Sequence, residues 1–293
     1  MTHITLTRRA FAAALAAATA FGSLALTGCG DKTDKTADAP KAAAHKSDAS
    51  VAPAAAADKL AEILAKGEMT IATEGTWAPW TYHDEKGVLT GFDIEVGRLI
   101  AAELGVKPVF VEGKWDGLLA GIDSGRFDIM INGVDVTPER EKAFLFSEPY
   151  VFNRTVVITR SDDERVKSMD DLKGLSTANT ISSTYAEIAE RHGAKVTGVD
   201  DLNQTIELLL SKRIDATLNS DVVYHDYLRA HPDAKIRIAA KGRDVIAVAI
   251  PLRNVEASKS LKERIDAAVA KLRESGRLAE LSVRFFGGDL TKK

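Results

Sequence analysis

The stretches 69–73, MTIAT, and 92–131, FDIEVGRLIAAELGVKPVFVEGKWDGLLAGIDSGRFDIMI, decide the fold. The first is a short β-branched run that predicts a strand. From Phe92 the apolar residues Phe92, Val96, Leu99, Ile100 and Leu104 return at helical spacing, and Gly105 then offers a C-cap. Val109-Phe110-Val111 predicts a second strand, Trp115 to Ile122 a second helix, and Phe127 to Ile131 a third strand. Strands that alternate with helices in this way pair in parallel, because each helix carries the chain back across the sheet before the next strand begins.

Towards the C-terminus a second series begins near Val156-Val157-Ile158. It continues through helices at about Tyr185 to Arg191 and Leu202 to Leu210, with strands at Ala216-Thr217-Leu218 and Val245 to Ile250. The last helix carries Leu261, Ile265, Val269 and Leu272 on one stripe and stops at Gly276, and a shorter Leu278, Leu281, Phe285 stripe follows. Two α/β lobes joined by extended segments is the simplest architecture. No internal repeat relates them.

Towards the N-terminus the composition changes. Arg8 and Arg9 precede Ala10 to Leu26, an Ala/Leu-rich run too short and too poor in large apolar residues for a comfortable membrane span. The only cysteine, Cys29, then follows Leu26-Thr27-Gly28. This arrangement resembles a bacterial lipobox, which implies removal of a signal peptide at 1–28 and lipidation of Cys29. Thr7-Arg8-Arg9-Ala10-Phe11 also resembles part of a twin-arginine signal, so two export routes stay open. Residues 29–57 form the expected tether. After Cys29 this stretch has no aromatic and almost no large aliphatic residue, so it cannot bury enough apolar surface to offset the entropy of ordering. His45 within it is expected to be solvated.

The body from Asp58 onward is long enough for one large or two modest domains. Lys and Arg number 39 against 42 Asp and Glu, for a net charge of −3, and no basic stripe is interleaved with aromatics. Nucleic acid is therefore not an expected partner. With Cys29 lipidated no thiol or disulfide chemistry remains. No second apolar segment reaches spanning length, so the lipid is the only expected membrane attachment.

Six motifs lie in order along the body: Gly75-Thr76-Trp77-Ala78-Pro79-Trp80, Thr90-Gly91-Phe92-Asp93, Val136-Thr137-Pro138-Glu139-Arg140, Phe146-Ser147-Glu148-Pro149-Tyr150, Asp171-Leu172-Lys173-Gly174 and Arg213-Ile214-Asp215-Ala216. In order and spacing they resemble family 3 of the bacterial solute-binding proteins, the polar amino-acid receptors of ABC importers. The resemblance implies a two-lobed periplasmic-binding-protein-like (type II) α/β fold with a two-strand hinge, in which an amino acid is trapped between closing lobes. It assigns 58–155 with 252–293 to one lobe and 156–251 to the other, with crossing strands near Thr155 to Thr159 and Val248 to Leu252. The implied partners are a small amino-acid ligand and an ABC permease with its ATPase. The implied setting is a lipid-anchored monomer facing the periplasm or cell exterior, with neither cofactor nor metal.

A zwitterion that loses water in a closed cleft needs a charged partner at each end and several hydrogen bonds. Thr137 reads as an N-cap and Pro138 as the first helical residue, which puts Arg140 in the first turn of a helix. Arg140 matches the family's carboxylate-binding arginine, and its planar fork can hold a carboxylate bidentately. Without the motif, Arg140 reads as a surface arginine paired with Glu139 or Glu141. Ser182-Ser183-Thr184-Tyr185 falls where the family has a Gly-Thr-Thr/Asn loop. The amides there, at Ser183 and Thr184, meet the same carboxylate, with serine in place of the glycine.

Many relatives carry an aspartate where this chain has Ser220, and a serine or threonine where it has Asp135, so the carboxylate for the ammonium has changed sides of the cleft. Asp135, with the Gly133 carbonyl, is the first choice of ammonium partner, and Asp221 is its competitor. Trp77 and Trp115 match the positions that sandwich the ligand side chain, while Trp80 belongs to the core or pocket floor. Glu74 matches an acidic position that reads a cationic tip, and otherwise reads as a solvated strand-end carboxylate. Lys114-Trp115-Asp116-Gly117-Leu118 and Ile131-Asn132-Gly133-Val134 most resemble cystine-binding members, in which Glu74 would face the second ammonium.

The competing class is an enzyme, because a cyclohexadienyl dehydratase resembles these receptors. It would need Glu74 or Asp135 as a general acid of raised pKa, a role that an intact ammonium site has no use for. No Gly-x-Ser-x-Gly, His-Glu-x-x-His or phosphate-binding glycine loop occurs, and no catalytic residue is expected. His192, His225 and His231 read as surface residues.

Overall fold

Glu68–Thr73 is the middle strand of a three-stranded parallel sheet, with Lys107–Glu112 on one side and Ile129–Met130 on the other. The computed structural model describes residues 58–293, so the signal peptide, the lipidation at Cys29 and the tether to residue 57 lie outside the described residues. Helix Phe92–Leu104 makes the first crossover, burying Phe92, Val96, Ile100 and Leu104 before Gly105 ends it with φ 75°. Helix Trp115–Asp123 makes the second and buries Trp115, Leu118 and Ile122. The third strand is shorter than Phe127 to Ile131, because it pairs only through Ile71 and Ala72 and the chain soon turns at Gly133.

The first lobe is completed by the end of the chain. Leu261, Ile265 and Val269 of helix Lys259–Glu274, and Leu278 and Phe285 of helix Arg277–Phe286, share one core with Ile71, Phe92 and Ile100. Burying each such side chain is worth about 1.5–3 kcal/mol. Among the described residues no helix is long and apolar enough to cross a membrane.

The second lobe holds a five-stranded sheet in the order Lys195–Gly198, Ser176–Asn179, Ala216–Ser220, Thr155–Arg160, Ile236–Lys241. The first three run parallel, and Thr155–Arg160 is antiparallel to both of its neighbours. Residues Thr155 to Thr159, expected to cross between the lobes, are instead interior to this sheet. All five are buried, which requires a neighbour on both sides. The crossing strands are Val151–Asn153 and Ile246–Val248, paired antiparallel. The predicted strand over Val245 to Ile250 ends early, and the chain resumes as Pro251–Arg253 against Phe144–Phe146. Proline, with no N–H to give a ladder, sits at the start of that strand.

Candidate functional site

Carboxyl ends of strands from both sheets open onto one cavity. Glu74 follows the central strand of the first sheet and Gly133 follows its third, while Asn179, Thr180 and Asn219 come from strand ends of the second. Crevices at the carboxyl ends of parallel strands are where α/β folds accept ligands. Of the sequence-predicted site residues, Glu74, Trp77, Trp115, Gly133, Asp135, Arg140, Ser183 and Thr184 line this cavity together.

Arg140 reaches it from the six-residue helix Pro138–Ala143. Thr137 Oγ1 accepts the Arg140 amide at 3.2 Å, and Pro138 opens the helix, so the local sequence sets the backbone from which the guanidinium projects. The residue is buried, and Glu139 and Glu141 are not its partners. Its Nη1 donates to the Asp135 carbonyl and its Nη2 to the Ser182 carbonyl, both at 3.0 Å, and its Cζ lies over the Trp115 ring, 5.2 Å from the ring centre. A guanidinium has five N–H donors, so three remain for a ligand.

Asp135 is 3% exposed, and its Oδ1 has no hydrogen-bond partner among the described residues. Burial pushes its pKa up to about 6, against the pull of Arg140 and of the nearby Asn153 and Thr184 side chains. Its backbone bridges to Val248 on the returning crossing strand, so the carboxylate is seated at the hinge. Asn153, on the outgoing strand, donates to the Tyr185 hydroxyl at 3.1 Å. Burial, above all, raises the pKa of that phenol, with Asp135 adding to the effect.

Glu74 is raised to about 7, first by burial and further by Asp116 and Asp201. The opposing influence is Asn132, whose Nδ2 donates to Glu74 Oε2 at 2.6 Å and whose Oδ1 accepts the Glu74 amide at 2.7 Å. Asn132, expected at the ligand, is instead fully buried behind Glu74 and aims it. Gly133 has φ 56°, and a Cβ there would lie 2.5 Å from the Trp77 ring. Trp77 stacks on Trp80 at 5.4 Å and stands edge-on to Tyr185 at 6.5 Å. Trp80 is wholly buried in the core.

On the second lobe, Ser183 caps helix Thr184–Arg191 by accepting the Ala186 amide at 3.1 Å. The Ser183 amide, expected at the ligand carboxylate, instead donates to the Thr180 carbonyl at 3.2 Å, while the amides of Thr184 and Tyr185 lie in the first turn, where no intrahelical acceptor exists. Ser182 takes φ 57°, so the glycine-like turn persists with serine in place. Ser220 and Asp221 do not line the cavity. Asn219 and Ser220 end one strand with side chains on opposite faces, so Asn219 lines the cavity while Ser220 is fully buried off it, with its Oγ near the Tyr185 hydroxyl. Asp221 begins the next helix, tied through its amide to the Arg154 carbonyl. Thr76, Asn179, Thr180, Tyr185, Asp201, Leu202, Thr205 and Asn219 also line the cavity and were not assigned to the site from the sequence. Several follow strand ends or open helices, which is the signal that would have found them.

A guanidinium with spare donors, first-turn amides and a buried, unpartnered carboxylate oxygen in one cavity can neutralise both charges of a zwitterion. The chain is 37% identical over 224 residues to the "Probable amino-acid ABC transporter-binding protein" of Haemophilus influenzae, covering 76% of this chain and 86% of that protein. It is 35% identical to the L-cystine-binding protein TcyA of Bacillus subtilis, covering 80% and 87%. An ancestral arginine-binding protein solved with arginine superposes with a TM-score of 0.70 at 30% identity, covering 75% of this chain and 99% of that one. Residues 69–288 match the family described as "Bacterial extracellular solute-binding proteins, family 3", and the chain belongs to that family.

Proposed function

We propose that this protein captures a polar amino acid, L-cystine above others, between its two lobes and delivers it to an ABC permease and its ATPase while a lipid on Cys29 holds it to the membrane. One observation carries the ligand chemistry: the same cavity contains the Arg140 guanidinium and a buried carboxylate oxygen, Asp135 Oδ1, that no group among the described residues satisfies. In this proposal Arg140 and the amides of Thr184 and Tyr185 take the ligand carboxylate, and Asp135 with the Gly133 carbonyl takes the ammonium. Trp77 and Trp115 flank the side chain. Glu74 faces the second ammonium of cystine. That Asp221 lies off the cavity favours Asp135 over it.

No reaction is assigned to the site. A dehydratase would need Glu74 or Asp135 to hand a proton to its substrate, whereas an ammonium calls for the ionised form of both.

Calorimetry with L-cystine and the common amino acids tests the proposal. Arg140→Ala removes one partner of a desolvated charge pair, a loss of about 2–5 kcal/mol, so affinity should fall well over tenfold. Unchanged affinity in a folded Arg140→Ala protein would overturn it.

A further inference from the structure

We propose that Ser182 clamps the two lobes through its hydroxyl, which bonds Asp116 across the cleft and slows ligand release, while its carbonyl holds Arg140 whatever the residue type. Ser182 sits in the second-lobe loop between strand Ser176–Asn179 and helix Thr184–Arg191. Its φ of 57° is a conformation that glycine takes freely and serine takes only at a cost. With that turn, its carbonyl accepts Arg140 Nη2 at 3.0 Å and Trp115 Nε1 at 3.3 Å, and its Oγ donates to the Asp116 carboxylate. One residue of the second lobe thus holds three residues of the first.

The carbonyl contact and the chemistry of Arg140 are linked. Nη1 is fixed by the Asp135 carbonyl within the first lobe, and Nη2 gains its partner only from the second. Closure therefore sets the plane of the guanidinium against the Trp115 face. A glycine at 182 would keep the carbonyl, so the residue type decides only the hydroxyl and its bond to Asp116. Beside it Lys114 pairs with Asp200 at 2.7 Å, also across the cleft, but both side chains are more than half exposed and such pairs contribute little.

These bonds exist only when the lobes meet. They favour the closed state, and so act on the dissociation rate rather than on encounter. The clamp rests on the receptor function proposed above, and two readouts keep the two claims apart.

The first readout is the kinetics of L-cystine binding, with melting temperatures measured alongside. Ser182→Gly and Ser182→Ala should each raise the dissociation rate about 3- to 10-fold, the scale of one hydrogen bond, with the association rate within about twofold. Asp116→Ala also removes a charge acting on Glu74, so the Ser182→Gly/Asp116→Ala double variant matters. It should release ligand no faster than Asp116→Ala alone. Equal dissociation rates in wild type and Ser182→Gly, or additive effects in the double variant, would overturn the clamp. A rise confined to Ser182→Ala would do so too, because it would place the effect in backbone strain.

The second readout is the distance between spin labels on the two lobes. Ser182→Gly should shift its distribution towards separation, and an unshifted distribution overturns the clamp. Wild type that binds no L-cystine, with a Ser182→Gly protein that still opens, would refute the ligand and leave the clamp standing.

Discussion

Asp135 carries its carboxylate into a place where the described residues offer one nearby cation and no bond to Oδ1, and the cost appears as a pKa of about 6. Asp135→Asn keeps the shape and removes the charge, so two measurements should move in opposite directions. Affinity for L-cystine should drop at least tenfold, because a desolvated ammonium loses its partner at a cost of about 2–5 kcal/mol. Ligand-free stability at pH 7.5 should rise, because the buried charge is gone. Asp221→Asn should change affinity little, since that residue lies off the cavity. Titration calorimetry and urea unfolding of both variants check this. Loss of binding in Asp221→Asn with retention in Asp135→Asn would exchange the two roles.

The helix Pro138–Ala143 is too short to persist by itself, so its start is fixed by the Thr137 cap and by Pro138. Thr137→Ala should cost about 1 kcal/mol of stability. It should also weaken L-cystine binding, because the cap sets the backbone of Arg140. A stability loss in urea unfolding with unchanged affinity would mean that the flanking bonds to Asp135 and Ser182 suffice to aim the guanidinium. Cap motifs of this kind are local, and they could be read from Thr-Pro-Glu-Arg alone. So could the helix Phe92–Leu104, whose apolar spacing is strongly periodic. Strands Ser176–Asn179 and Lys195–Gly198 could not. The first, STAN, has no large apolar residue, and the second is a mostly exposed edge, so both owe their state to neighbours across the sheet. The site followed the same division. Motif residues such as Arg140 and Trp115 were legible, but the placement of Asn219 in the cavity and Ser220 away from it depends on strand alternation that a motif does not encode. Likewise, Asn132 proved to be a support for Glu74 because its burial comes from packing.

The whole molecule stores protons in its interior. Asp93, accepting from the Tyr150 hydroxyl and the Gly133 amide, is raised to about 7 by burial, as is Glu74, while Asp135 is raised to about 6. In the unfolded chain all three ionise near pH 4. Between about pH 4 and pH 7 the native state therefore binds more protons than the unfolded one. The stability these groups contribute is fully present below pH 4 and is lost as pH rises, by up to about 1.4 kcal/mol per pH unit for each group. Asp215 has the opposite sign. Ser176 and Arg165 lower it to about 2 despite burial, so its contribution is lost as pH falls from about 4 to 2. A ligand with two ammonium groups would meet Asp135 and Glu74, favour their ionised forms and expel their protons. Affinity for L-cystine should then fall between pH 7.5 and pH 5.5, and the rise in melting temperature on adding it should be larger at pH 7.5. Asp93 does not line the cavity. Asp93→Asn should therefore flatten the pH-dependent loss of ligand-free stability yet leave the pH dependence of the ligand-induced rise intact. Thermal melts of both proteins at the two pH values, with and without L-cystine, check this, and a rise equal at both would remove the cation from beside these carboxylates.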